Sequence, residues 1–246
     1  MDWIDEKGRL FGRVNVIDAL VVLFALAVVV AGAAFVLGGG GSDSSETVTQ
    51  HATVTLGEQP AQVSALVTTG TVTVDGTEME LTDVYRTPAE DGSTIVRLRL
   101  AFEGRDTEDG FRAAGQLVRS GTTVTLATDA YELQGTVRGL ADDGSFETST
   151  TSTTVTATVT DEVATAIATG DTRTLAGTEV LRVTGVDRES VNTTHSRVRV
   201  DLALRTLSTA EGPAYAGGQL RLGQRLPVVT DRYEFTGTVV AVATDD

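Results

Sequence analysis

The pattern of apolar and polar residues separates one continuous apolar run from a long body in which the two kinds alternate. Between Ala19 and Leu37 no side chain is charged, and none carries an amide or hydroxyl group. A helix of that length measures about 29 Å at 1.5 Å per residue, close to the roughly 30 Å hydrocarbon thickness of a bilayer. The run predicts a transmembrane helix over residues 19–37, preceded by a juxtamembrane head over residues 1–18.

The cations near this run predict its orientation. Lys7, Arg9 and Arg13 precede it, and the next arginine or lysine is Arg86. Because cationic residues flank the cytoplasmic end of a membrane helix, we expect a single-pass membrane protein with a cytoplasmic N terminus and an extracytoplasmic body. A cleaved signal peptide is the alternative, since residues 31–33 are small, but the apolar run continues beyond them.

The body contains an internal duplication. Residues 128–139 and residues 230–241 share seven identities in twelve positions at a spacing of 102. Two copies at this period predict a tandem pair of domains rather than a repeat array. The predicted segments are a flexible linker at residues 38–51, a β-rich module at 52–147, a Thr/Ser-rich linker at 148–156 and a second β-rich module at 157–246. The end of the second linker also alternates, so we expect a strand to begin near Val155.

Within each copy the spacing of apolar residues predicts several strands and one helix. Leu98, Leu100 and Phe102 alternate with other residues, as in a half-buried strand. A helical spacing occurs once per copy, followed by Gly70 or Gly170 as the expected C-terminal cap. The helical positions are Val63, Leu66 and Val67 in the first copy and Val163, Ala166 and Ile167 in the second. The expected fold class is an N-terminal transmembrane helix followed by two tandem mainly-β (α+β) modules, each a small antiparallel barrel or sandwich with one short helix.

The amino-acid composition excludes some classes of binding partner. The chain has 34 acidic and 19 basic residues, a net charge of −15, and its only lysine is Lys7. Such a surface repels nucleic acid and anionic lipid. An acid-rich, lysine-poor composition is similar to that of proteins from salt-loving archaea, so we interpret the acidity as adaptation to a saline, halophilic environment rather than as a binding site.

The chain contains few of the side chains that commonly act in catalysis or bind metals. There is no cysteine, and the two histidines, His51 and His195, lie far apart in the sequence. A hydrolytic triad or a zinc site needs more of these groups. The acid-glycine triplets ending at Gly92, Gly110 and Gly144 lack the ligand spacing of an EF-hand and predict turns. We therefore expect no enzyme activity, no cofactor and no metal.

The duplicated Thr-Asp-x-Tyr-Glu motif is the strongest candidate for a binding constellation. Its carboxylates are Asp129 and Glu132 in the first copy and Asp231 and Glu234 in the second. An aspartate before a strand commonly satisfies turn amides, and period-two alternation places the glutamate on the face opposite the tyrosine. We therefore interpret the motif as structural. The glycine that follows it, Gly135 in the first copy, predicts a bulge or a close backbone approach.

One candidate modification site is present. Asn192-Thr193-Thr194 is an N-glycosylation sequence, and it precedes a predicted strand, so we expect Asn192 to be exposed and available to a glycan.

The head has its own sequence signature. Residues 4–18, Ile-Asp-Glu-Lys-Gly-Arg-Leu-Phe-Gly-Arg-Val-Asn-Val-Ile-Asp, directly before an apolar run, resemble the head of a domain-of-unknown-function family of prokaryotic single-pass membrane proteins. The closing pattern of each module, Gly218-Gln219 through Val239, also looks similar to that family, so the resemblance covers nearly the whole chain, here with a duplicated exterior module. It implies no catalytic residue, because the activity of the family is uncharacterised.

The resemblance implies a docking surface for a membrane partner in the head, formed by Gly8, Gly12, Asn15 and Asp18. The alternative is that these residues only set the depth and start of the membrane helix. Asp18 has two interpretations. It is either an intramembrane carboxylate that pairs with another helix or a side chain that lies at the level of the lipid headgroups.

Three functions follow as hypotheses. The leading one is a non-enzymatic, membrane-anchored scaffold or interaction protein of the cell envelope, with an unidentified protein partner in an assembly or export complex. A cell-surface glycan-binding module is the alternative, although the only tryptophan, Trp3, lies in the head. A carboxylate-dependent hydrolase using Asp129 and Asp231 is the third.

Overall fold

The computed structural model describes residues 9–10, 14–15, 47–113 and 116–244. The chain divides into two units, Met1–Glu46 and Thr47–Asp246. In the first unit, strand β1 (Arg9–Leu10) pairs antiparallel with strand β2 (Val14–Asn15). The second unit contains both copies of the duplicated body.

Module 1 is a closed antiparallel barrel. Its strands are β3 Val48–Gln59, β4 Gly70–Val74, β5 Thr77–Pro88, β6 Thr94–Thr107, β7 Gly110–Ala113, β8 Gln116–Leu117, β9 Thr123–Ala127 and β10 Glu132–Ala141. Six of them form a ring in the order β3-β10-β9-β4-β5-β6, which closes where β6 pairs with β3. Strands β7 and β8 extend the sheet beyond β6. Because side chains alternate across a strand, Leu98, Leu100 and Phe102 of β6 fall inside the barrel and are buried.

Module 2 has the same strand order as module 1, but in the part of the chain that the structure describes the two strands at the ends of that order are not paired. Its strands are β11 Thr148–Thr160, β12 Thr172–Leu175, β13 Thr178–Ser190, β14 His195–Thr209, β15 Gly212–Tyr215, β16 Gly218–Gln219, β17 Arg225–Val229 and β18 Glu234–Thr244. The order is β12-β13-β14-β11-β18-β17, and no pairing among the described residues joins β12 to β17. The corresponding strands of module 1, β4 and β9, pair at Thr73 and Val74. Module 2 is therefore an open copy of the closed barrel.

The fold class expected from the sequence is corrected by these findings. The described chain is mainly β, with two eight-stranded sheets and two α-helices, α1 (Ala61–Leu66) and α2 (Asp161–Ala166). Each helix has six residues and measures about 9 Å, against the roughly 30 Å of a bilayer core. Within the described residues, no helix has the length and apolarity needed to cross a membrane. Residues 19–37, on which the predicted transmembrane helix falls, lie outside the described residues.

The Thr/Ser-rich segment differs from the linker expected at residues 148–156. Strand β11 begins at Thr148, which lies opposite Leu207 of β14, and it pairs with β18 on its other side. Thr151 and Thr153 face inward and are buried. A threonine is β-branched and suits a strand, so the run that resembles a linker in composition forms the central strand of module 2. The connector between the modules is residues 142–147.

Each short helix is closed by an arginine rather than by a glycine. The Arg86 guanidinium donates from Nε and Nη2 to the Ser64 carbonyl at 3.2 and 3.1 Å, and also to the Val67 carbonyl. Arg188, 102 residues later, donates from Nε to the Ala164 carbonyl at 2.6 Å and also to the Ile167 carbonyl. The last carbonyls of a helix lack intrahelical donors, and the guanidinium supplies them.

The β5–β6 hairpin of module 1 packs against the open side of module 2. Strand β5 contacts β12, β13 and β17, and the 3₁₀ turn at the hairpin tip, Glu90–Gly92, contacts β17. Thr87 and Ala89 near this tip are almost fully buried. At the tip, the Asp91 amide donates to Glu234 Oε1 at 2.9 Å, and the Thr236 hydroxyl donates to Glu90 Oε1 at 3.0 Å.

A tyrosine lies at the centre of this contact between the modules. The Tyr85 hydroxyl donates to the Arg205 carbonyl at 2.8 Å, and its ring packs in a small cluster with Leu207, Ala214 and Phe146. Phe146 belongs to the connector, and its amide donates to Asp83 Oδ2 of module 1 at 2.7 Å. The two modules are therefore joined by side chains as well as by the connector.

Candidate functional site

The Thr-Asp-x-Tyr-Glu motif of module 2 begins as a tight turn between β17 and β18. The Thr230 amide donates to the Tyr233 carbonyl at 3.0 Å, and the Thr230 hydroxyl oxygen accepts the amides of Arg232 and Tyr233 at 3.2 Å each. A threonine that satisfies amides two and three residues later fixes the turn. The turn therefore sets the positions of the Arg232 and Tyr233 side chains.

Both side chains meet at one buried carboxylate. Asp171 is 10% exposed and accepts from Arg232 Nη1 at 2.9 Å, from the Tyr233 hydroxyl at 2.9 Å and from the Ala168 amide at 2.8 Å. Burial by itself raises the pKa of Asp171, but the three donors and the charge of Arg232 outweigh it and hold that pKa below the ordinary value. Burial and the neighbouring carboxylate raise the pKa of Tyr233, so the phenol remains a neutral donor.

The two acids of the motif have different partners. Asp231 forms an ion pair with Arg173 at 2.5 Å, whereas Glu234 accepts from the hairpin tip of module 1. In module 1, the strand register places Gly70 at the position of Asp171. Asp129 and Glu132 are exposed. The arrangement suits a structural network in module 2, and it does not bring two carboxylates to one bound group.

Two surface grooves hold arginine and threonine side chains together. Groove 1 has a volume of about 600 Å³ and lies where module 1 meets module 2; it is lined by Thr53, Thr55, Glu58, Arg97, Arg138 and Gly217. Groove 2 has a volume of about 340 Å³ and lies on module 2; it is lined by Thr156, Thr158, Arg197, Arg225, Thr236 and Thr238. Guanidinium groups and hydroxyls are donors suited to carboxylate, phosphate or sulfate oxygens.

Strand register places equivalent rows of side chains on the outer faces of the two modules. Arg97 lies opposite Thr55, and Thr55 lies opposite Thr136 on the next strand. In module 2, Thr156 lies between Arg199 and Thr238 in the same way. The duplication therefore places a row of arginine and threonine on the outer face of each module, but the arginines that line groove 2, Arg197 and Arg225, are not counterparts of Arg97 and Arg138.

The electrostatics of groove 1 favour an anion. Burial lowers the pKa of Arg97, Tyr85 raises it, and the like charge of Arg138 lowers it further. Arg97 also donates to the Gly217 carbonyl of module 2 at 3.2 Å. No carboxylate among the described residues lies within ion-pair distance of Arg97 or Arg138, although Glu58 also lines the groove. An anionic group that bound both cations would relieve their repulsion.

The predicted glycan acceptor lies at a hairpin tip. Asn192 is exposed between β13 and β14. Its Oδ1 accepts the amides of Thr194 and His195 at 2.9 Å each and the Thr194 hydroxyl at 3.1 Å. The turn presents the whole Asn192-Thr193-Thr194 sequence at the surface.

The predicted docking residues of the head are only partly covered by the structure. Asn15 is paired with Arg9 through the backbone, in the β1–β2 ladder. Gly8, Gly12 and Asp18 lie outside the described residues. Within the part of the chain that the structure describes, no group of three or more His, Asp or Glu side chains is placed to hold a metal ion.

Sequence reasoning missed the helix-closing arginines and the paired grooves. Arg86 and Arg188 occur at the same spacing of 102 as the duplicated motif, which is the signal that would have identified them. The grooves depend on which strands are neighbours, and that information is not contained in the alternation of a single strand.

Comparison with known protein families gives a match to the N-terminal third of the chain. A family model described as a domain of unknown function (DUF4330) matches residues 1–79. The match covers the head, the apolar run and the start of module 1 as far as Met79 in β5. The predicted relationship to a domain of unknown function is thus confirmed for this third of the chain, whereas the resemblance over nearly the whole chain is not. No curated protein and no solved structure matches the chain.

Proposed function

We propose that the chain is a non-enzymatic interaction protein of the cell envelope, in which grooves 1 and 2 bind anionic side chains of a partner protein. The observation behind this proposal is the pair of arginine-threonine grooves on a chain whose net charge is −15. In so acidic a molecule, the two arginines of groove 1, which have no carboxylate partner among the described residues, form a local site of opposite sign that favours an acidic partner. In groove 2, Arg197 is in an exposed ion pair with Glu189 at 3.4 Å, which a partner carboxylate would have to displace.

The rigid attachment of the modules supports a scaffold role. The β5–β6 hairpin and the connector hold the two copies in one unit, so groove 1 has walls from both modules. Two sites held at a fixed separation bind one partner with a high effective concentration when the partner spans both.

An extracytoplasmic location remains part of the proposal and rests on the sequence. The apolar residues 19–37 follow Lys7, Arg9 and Arg13, a charge distribution that favours a cytoplasmic N terminus. The head residues Gly8, Gly12, Asn15 and Asp18 would then face a partner at the membrane, in an assembly or export complex. Protease added to intact cells should degrade the body, and protection of the body would contradict this location.

Site-specific crosslinking tests the partner proposal. A photoreactive residue replacing Thr55 in groove 1 should give a crosslinked product in native membranes, and the double substitution Arg97→Ala and Arg138→Ala should remove that product. The same residue at exposed Thr178 serves as the control site, and Arg182→Ala as the control substitution. A product that is unaffected by the double substitution, or none at all, would contradict the proposal.

A glycan is the second candidate ligand. Groove 2 is lined by threonine hydroxyls and by the guanidinium groups of Arg225 and Arg197, the latter paired with Glu189, and such donors also suit the carboxylate of an acidic sugar. A glycan array probed with the full-length chain separates the two proposals, because a protein partner predicts no glycan signal that depends on Arg225.

A further inference from the structure

The mouth of the module 1 barrel contains a pocket that the interaction role does not use. It has a volume of about 220 Å³, and its lining combines apolar side chains, among them Phe102, Ala113, Leu117, Val124 and Val137, with the polar side chains Asp75, Thr77, Gln116 and Thr122. The mouth of a β-barrel is a common position for a small-ligand site. An apolar cavity of roughly 150 Å³ is already large enough to accept benzene.

The duplicate module shows what fills the equivalent space. Gly104 lies opposite Ala113 in module 1, and the register of β14 and β15 places Tyr215 at the same position, one residue beyond the Leu207–Ala214 pair. Tyr215 is 1% exposed and belongs to the core cluster of module 2. The same cluster contains the counterparts of the pocket residues, Leu204, Leu220, Leu226 and Val239. At this position module 2 has a buried phenol ring and module 1 a methyl group, whereas the neighbouring buried ring of module 1, Phe111, lies against Gly104 and does not line the pocket.

The polar residues of the pocket also differ between the copies. Asp75 lines the pocket and occupies the β4–β5 turn with a φ of 46°, and Ala176 occupies the corresponding turn of module 2 with a φ of 45°. Asp75 Oδ1 accepts the Thr125 amide at 2.9 Å, and a carboxylate has further acceptor capacity. The Tyr215 hydroxyl, in contrast, has no hydrogen-bond partner among the described residues. Module 1 thus combines the space for a ring with an acceptor for a hydroxyl group.

We propose that this pocket binds a single-ring aromatic group, with a phenol preferred over an unsubstituted ring because Asp75 accepts its hydroxyl. The ring belongs either to a free small molecule or to a tyrosine side chain of a polypeptide, and both sources present the same chemistry. The inference is independent of the grooves, since none of the pocket residues lines groove 1 or groove 2.

Methyl NMR of the full-length chain tests the site, with p-cresol and toluene as probes. Saturable shifts are expected at the methyl groups of Leu117, Val124 and Val137. Ala113→Tyr, which introduces the residue of the duplicate, should weaken p-cresol binding at least tenfold. Glu108→Tyr, in the exposed β6–β7 turn, is the matched control and should bind like the unmodified chain. Absence of saturable shifts, or shifts that persist unchanged in folded Ala113→Tyr, would overturn the proposal.

A second variant keeps the test informative if Ala113→Tyr does not fold. Asp75→Ala has the residue found in the equivalent turn of module 2, so the backbone accepts it. It should weaken p-cresol binding about fivefold to tenfold and leave toluene binding unchanged, because a hydrogen bond to a charged group is lost. Equal effects on both probes would refute the role of Asp75. A short capped peptide containing tyrosine distinguishes the sources, since binding of p-cresol alone indicates a free small molecule and binding of both indicates a side chain.

Discussion

Asp171 provides a hydrogen-bonded carboxylate in module 2 at a position where module 1 has no acid. It accepts three hydrogen bonds in module 2, and the strand register places Gly70, which has no side chain, at this position in module 1. Because its folded-state pKa is lowered, the carboxylate contributes stability above the pKa of the unfolded chain, and that contribution is lost as the pH falls through the lowered value. The network is therefore a pH-dependent element of the fold.

Replacement of Asp171 tests this contribution. Asp171→Asn should lower the free energy of unfolding at pH 7 by about 1–3 kcal/mol, since hydrogen bonds to a charged acceptor are weakened. The difference from the unmodified chain should shrink as the pH falls below the ordinary value of 3.8. Denaturant unfolding at constant salt measures both, with the exposed Asp129→Asn as control. A difference that grows toward acid pH would contradict the assigned direction.

A substitution at Thr153, in contrast, should raise the free energy of unfolding. Its side chain is 2% exposed, and its hydroxyl has no hydrogen-bond partner among the described residues. Thr153→Val replaces an unsatisfied hydroxyl by a methyl group of similar size and should raise the free energy of unfolding by about 1 kcal/mol. Thr151→Val is the matched control, because the Thr151 hydroxyl is bonded to Thr206 at 2.8 Å, and it should not stabilise the chain. Equal effects of the two substitutions would contradict the reasoning.

Individual positions were predictable where the sequence constrains them sterically. At Gly135 a bulge or a close backbone approach was expected; a Cβ atom there would lie 2.5 Å from the side-chain atom Val54 Cγ1, and the register shift of this strand lies further on, between Val137 and Gly139. The partners of Arg86, Asp171 and Tyr85 were not predictable, because each contacts a residue brought close only by the folded sheets.

At the scale of elements, the helices depend on side chains from neighbouring strands. A six-residue helix is too short to be stable by itself. Arg188 reaches from β13 to the end of α2 and supplies donors to two of its carbonyls. The arginine therefore fixes the helix to the sheet as well as ending it.

Removal of that arginine should release the helix. Arg188→Met keeps most of the side-chain length but leaves two carbonyls without their charged donor, so the free energy of unfolding should fall by roughly 2 kcal/mol. Hydrogen exchange of the α2 amides should accelerate more than that of β14. Arg182→Met, which removes a half-exposed ion pair with Glu179, is the control and should change stability by less than about 1 kcal/mol. If the hydrogen-exchange rates of the α2 amides are the same in Arg188→Met as in the unmodified chain, the hydrogen bonds of Arg188 do not stabilise the helix.

The sequence predicted elements best where one face is buried. Alternation identified the inward residues of β6, all of which are buried. Of the predicted helical positions, Val67 and Ile167 are buried, whereas Leu66 is 50% exposed and Ser64, which was not predicted, is buried. The glycine caps were wrong: Gly70 and Gly170 follow the helices at a distance, and an arginine from another strand completes each helix end. The sequence pattern around a helix contains no information on an arginine that contacts it from a distant strand.

For the whole molecule, the duplication was evident from spacing, but the packing of the copies was not. Strand order decides that module 1 closes through β4 and β9 whereas module 2 does not. These pairings join residues about fifty positions apart, and alternation contains no information on which strands meet. The contact of the β5–β6 hairpin with module 2 depends on that difference, so it could not be predicted either.

The hairpin contact predicts that the two modules unfold together. Tyr85 is 3% exposed, and its hydroxyl bonds across to module 2. Tyr85→Ala removes a buried aromatic ring, a change that costs about 3–5 kcal/mol, and should split one cooperative calorimetric transition into two. Tyr85→Phe, which loses only the hydroxyl, should cost about 1 kcal/mol and keep a single transition. If Tyr85→Ala retains one transition at an unchanged midpoint temperature, the contact contributes nothing to the coupling, and the modules are joined by the connector alone.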